Sequence, residues 1–196
     1  MDLTLPSLLS AARATVTDPR SAARKVMSMD LPLQAAGMAL LLTSVLSAIL
    51  AHVSFALLPV SSQAGLEGMM ASPLRTAIVQ VIAAFTGAFA AQVVGRWRGG
   101  TGTLPRTVAL LAWLQFVMLI LQVAQILAEI VLPPFALVLA YVSVGLFLWL
   151  LVHFVMELHG FRSVAATTFG ILGTIVMMGF LLALLIAPLV PVPPGM

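Results

Sequence analysis

Five apolar runs, at about 33–58, 74–95, 106–132, 135–158 and 164–188, set what this chain can become, because each is near or above the roughly 20 residues that an α-helix needs to cross a bilayer. Within hydrocarbon the backbone must satisfy its own hydrogen bonds, which leaves helices as the form for runs of this kind. Charged residues are only 8% of the 196 positions and hydrophobic ones 62%, whereas soluble domains carry about a quarter charged residues. The expectation is an all-α integral membrane protein with five transmembrane helices in one bundle. Residues 1–30 form a short amphipathic and basic tail, 31–190 the five-span domain, and 191–196 a Pro-rich tail.

An odd number of spans puts the termini on opposite sides. Arg13, Arg20, Arg24, Lys25, Arg96, Arg98, Arg106 and Arg162 fall on one side and only Arg75 on the other. The positive-inside bias therefore makes the N-terminus cytoplasmic and the C-terminus external. The first 30 residues lack a short apolar core with a small-residue cleavage site, so the first span is expected to be its own insertion signal. Pro133-Pro134 leaves almost no loop between the third and fourth spans, which implies a tight antiparallel hairpin.

The third span is the most polar. Gln115, Gln122, Gln125 and Glu129 fall within about 80° of one another at 100° per helical residue, a single stripe along its length. Amides and a carboxyl facing lipid are costly, so this helix is expected inside the bundle with the others around it. Counting about 1.5 Å per residue puts His52 and Glu129 at a similar height near the external end, and they are expected to be neighbours. In the last span Ala166, Gly170 and Thr174, then Gly179 and Ala183, repeat every four residues, a spacing that lets helix backbones approach within a bundle or between two copies.

In the tail, Leu5, Leu8, Leu9, Ala12 and Val16 lie at helical spacing opposite Ser7, Ser10 and Arg13, and Asp18-Pro19 reads as an N-cap and first-turn proline opening a second short helix through Arg20, Arg24 and Lys25. Two placements suit it: on the membrane surface, with its basic groups on anionic headgroups, or packed on the bundle. The eight basic residues are the candidate lipid or partner face. The net charge of +3 reports topology and gives no reason to expect nucleic-acid binding.

Little points to catalysis. There is no cysteine, and the deep carboxyls Glu129 and Glu157 sit at opposite ends of the bundle, so no acid pair meets at one depth. The Gly99–Gly102 loop lacks the Gly-Lys-Ser/Thr of a phosphate loop and reads as a flexible turn. His153, Glu157 and His159 are weak metal candidates, since His153 and Glu157 share a face but His159 lies about 120° from His153. Gly160 reads as a helix C-cap, and structural or ion-pairing roles, pairs with Arg162 or Arg106 among them, are the stronger reading of this group. No cofactor is expected.

Asp18-Pro19-Arg20, Gly99-Gly100-Thr101-Gly102, Trp113-Leu114-Gln115-Phe116 and Glu157-Leu158-His159-Gly160-Phe161, taken in order, make the chain resemble bacterial members of the Yip family, membrane proteins named for interaction with Ypt/Rab GTPases. The resemblance implies a cytoplasmic N-terminus and a role in membrane organisation or trafficking; with the basic face and the lack of a catalytic constellation, the expectation is a non-enzymatic protein whose partners are anionic lipid headgroups, with a homo-oligomer or a protein partner as alternatives. The tail has no Asp-Leu-Tyr-Gly-Pro motif, which the eukaryotic members carry. Arginine-rich composition with a single lysine suggests a GC-rich bacterium and hence its inner membrane. The alternative function is a small transporter or channel lined by the polar stripe.

Overall fold

The computed structural model describes residues 4–57 and 72–186, without the side chains of 5 and 181–186. The loop carrying Glu67 and the Pro-rich tail lie outside the described residues. Two short helices, α1 (Leu5–Thr17) and α2 (Pro19–Met27), precede five long ones. These are α3 (Leu33–Leu57), α4 (Pro73–Trp97), α5 (Leu104–Val131), α6 (Pro133–His159) and α7 (Val164–Ile186). Helices α3 to α6 are long and apolar enough to cross a membrane. In α7 the apolar stretch with described side chains is the shorter Val164–Phe180.

Local chemistry sets the breaks. Asp18 caps α2 by accepting a hydrogen bond from the Ser21 amide at 3.0 Å, with Pro19 in the first turn. Leu132 alone separates α5 from α6, since Pro133 cannot continue the preceding ladder and starts a new helix instead. Gly160 ends α6 in the left-handed region at φ 73°, a conformation that costs glycine nothing.

Helix α5 is the hub, packed against α3 along its length and also against α6, α4 and α2. Leu110 and Leu114 on α5, with Leu40 and Leu150 from its neighbours, are fully buried. Outward, the long helices carry a continuous apolar coat that includes Met38, Ile82, Phe89, Val142 and Val176. Soluble monomers rarely leave so much apolar surface to water, and with α3 to α6 long and apolar enough to cross a membrane this coat is one for lipid.

Candidate functional site

Two polar assemblies stand out against the apolar bundle. The first is a seam between α3 and α5. Gln115 Oε1 accepts from the hydroxyls of Thr43 (3.0 Å) and Ser44 (2.9 Å). Gln122 Oε1 accepts from Ser47 at 2.8 Å while its Nε2 donates to the Ser47 carbonyl at 3.1 Å. Gln80 of α4 joins by donating to Ser47 Oγ at 3.0 Å. Ser54 Oγ lies 2.8 and 2.7 Å from the two Glu129 oxygens. Gln125 is half-buried and takes no part in these bonds.

The polar face of α5 thus meets a hydroxyl face of α3. Thr43, Ser44, Ser47 and Ser54 fall within an arc of about 100°, a signal that was available in the sequence but is easily passed over because hydroxyls barely lower hydropathy. Glu129 takes its bonds from Ser54 rather than from His52. His52 lies two residues before Ser54 on α3 and near the Phe55 ring, at 6.5 Å between centroids. Its Nδ1 is buried without a hydrogen-bond partner among the described residues.

The second assembly caps the opposite end. Helices α1 and α2 pack onto α6, and α2 also onto α5, with Ala12, Thr15, Ala23 and Val26 buried. Trp113 Nε1 donates to Thr15 Oγ1 at 3.0 Å, Arg20 approaches Met156 Sδ at 3.8 Å, and Arg24 pairs with Glu157 at 3.2 Å. Of the two placements open to the tail, the structure shows the packed one. Leu9 and Val16 nonetheless stay exposed on α1, leaving an apolar edge uncovered. Glu157 is satisfied by Arg24, not by Arg162 or Arg106. Arg106 pairs instead with Asp30 at 3.5 Å.

The glycine loop is held rather than free. His159 is buried against Gly95, Gly100 and Gly102, where any Cβ would collide with its ring. The Gly102 amide donates to His159 Nδ1 at 3.3 Å, and the Gly102 carbonyl accepts from Gln92 Nε2 at 2.8 Å. Gln92 Oε1 in turn accepts from the Thr107 hydroxyl at 2.6 Å. Three glycines, one imidazole and one amide thus fasten α4, α5 and α6 together. Gln92 carried no sequence signal beyond being polar in an apolar run.

The weak metal set is dispersed among these roles. His153 Nδ1 lies 2.7 Å from the Trp149 carbonyl and its ring is tilted against Trp149 at 4.0 Å between centroids, while Glu157 and His159 face the partners just given. The eight basic residues Arg13, Arg20, Arg24, Lys25, Arg96, Arg98, Arg106 and Arg162 are all exposed. Among the described residues only Arg24 and Arg106 pair with a carboxylate.

A helical bundle with a lipid-facing coat, an internal polar seam and a basic cap at one end defines an integral membrane protein. More narrowly, the chain belongs to the Yip family: the Yip1 domain matches residues 13–186, from within α1 to the end of α7. No curated protein and no solved structure matches it.

Proposed function

We propose that the chain is a non-enzymatic membrane-organising protein that crosses the bilayer five times, with its basic end cytoplasmic, and acts by gathering anionic headgroups on that end. The observation that carries the reading is the docked cap: α1 and α2 are fixed on α5 and α6 while the charges they present stay outside. A fixed array of cations next to the headgroup region attracts anionic lipid at about 1 kcal/mol per basic group close to the surface. Membership of the Yip family supports a trafficking-like or scaffold role, and the bacterial inner membrane is the proposed location.

The seam favours this reading over the transporter. Its amides meet hydroxyls between packed helices, the ordinary glue of membrane bundles, and among the described residues no midplane charge or broken span lines a path. Self-quenching of fluorescent phosphatidylglycerol around the reconstituted protein tests the proposal. Clustering should weaken with salt and fall when Arg13, Lys25 and Arg96 are replaced by glutamine; clustering that ignores both changes overturns it.

A further inference from the structure

Between α4 and α7 runs an elongated cavity of about 520 Å³, floored by Leu114, Phe147 and Leu151. Helix α7 leans on α6 and meets α4 thinly. The α4 wall from Gln80 through Ala84, Gly87 and Ala91 to Arg98 spans about 27 Å at 1.5 Å per residue, longer than the ~15 Å of hydrocarbon in one leaflet. A Cβ at Gly87 or Gly179 would meet nothing within 4 Å. In hydrocarbon such a furrow, left unfilled, would forfeit dispersion contacts along both walls.

Its mouth is charged. Arg98 reaches across from α4, lies against Gly170 and donates to the Ala166 carbonyl at 3.4 Å. A neutral carbonyl does not balance a guanidinium, and among the described residues no carboxylate pairs with it. An anionic group at the interface is the complement that the geometry lacks.

We propose that this furrow holds one acyl chain of an anionic phospholipid, with the headgroup phosphate on Arg98. Charge separates this occupant from a second copy of the chain: Arg98 calls for an anion, whereas the long helices of another copy present apolar outward faces, and an acyl chain is a single thread of methylenes slender enough to lie in the furrow. The site is distinct from the outward array probed by Arg13, Lys25 and Arg96, because it joins Arg98 to the furrow between α4 and α7. Either can hold without the other.

The test is photolabelling of the full-length protein, reconstituted with phosphatidylglycerol that carries a diazirine on its acyl chain, followed by mapping of the labelled peptides. Label should concentrate on the furrow walls of α4 and α7. It should fall several-fold in Gly87→Trp and in Gly179→Leu, two independent ways of filling open space, each checked for an unchanged melting temperature. Arg98→Gln should keep the labelling by acyl chain but erase the preference for phosphatidylglycerol over phosphatidylcholine. Replacing Arg13, Lys25 and Arg96 should leave the furrow labelling unchanged, which separates this site from the headgroup array. Label spread evenly over outward positions such as Met38 and Val142, or insensitive to whichever filling variant keeps its fold, overturns the proposal. So do disulfide cross-links between copies through cysteine placed at Gly173, if they exclude the lipid label.

Discussion

Arg24 and Glu157, 133 residues apart in sequence, meet at 3.2 Å and tie α2 to the last turns of α6. The Arg24 side chain is 57% exposed, so the pair itself contributes at most about 1 kcal/mol. It marks where the cap sits more than it holds the cap there. The holding falls to the buried contact of Thr15, fully enclosed, with Trp113.

Thr15→Val should therefore loosen the tail more than Glu157→Gln does. Removing the hydroxyl leaves the indole N–H without its acceptor, at about 1–3 kcal/mol if it stays dry. Limited proteolysis of the tail in the full-length protein measures this. Faster cleavage in Thr15→Val, with near wild-type cleavage in Glu157→Gln, is the expected result.

Along the seam, Gln122→Leu should lower stability by about 0.5–2 kcal/mol, since it strips both bonds to Ser47 in a medium without water. Ser47→Ala combined with Gln122→Leu should cost less than the two single changes added together, because each removes the other's partner. Unfolding of the protein in mixed micelles checks both values. Strict additivity would show that the two side chains do not act as a pair.

Gly95→Ala should destabilise the basic end by about 1–3 kcal/mol, the usual range for overpacking, because the new methyl meets the His159 ring. In a His159→Ala background the same change should be nearly silent. The pair of measurements isolates the collision from any general intolerance of alanine at that turn.

What could be read from the chain followed the two strongest physical signals, hydrophobic run length and charge asymmetry. The stripe on α5 placed that helix inside, and Pro133 and Gly160 marked their helix ends as local rules require. The partners were harder. Ser47 and Ser54 are weakly polar and sit among apolar neighbours, so only the face they share with Thr43 and Ser44 marks them as partners for Gln122 and Glu129, and hydropathy barely registers it. The glycine loop reads as free because glycine lowers local order, yet here Gly95, Gly100 and Gly102 are small so that His159 can enter. A site made by subtraction of side chains leaves no periodicity to detect. The furrow is hidden for the same reason, since the small residues of α7 read as a close-packing face and instead border open space at Gly179.

Topology has a direct test because the chain carries no cysteine. Cysteine placed at Ser61 should react with an impermeant maleimide from outside intact cells. Cysteine at Thr101 or Ser163 should react only after the cytoplasmic side is opened. Reversed labelling would invert the orientation and place the basic cap outside.

Lipid isolated together with the protein addresses the central claim most directly. Polymer-bounded discs cut from mixed phosphatidylglycerol and phosphatidylcholine membranes at low salt should be enriched in phosphatidylglycerol around the wild-type protein. The enrichment should fall towards the bulk ratio when Arg13, Lys25 and Arg96 become glutamine, and remain largely intact in Arg98→Gln, which removes a single cation of the face. A wild-type ratio equal to that of the bulk membrane, alongside solute flux through reconstituted protein that Gln122→Leu abolishes without unfolding it, would contradict the account and make the polar seam a conduction path.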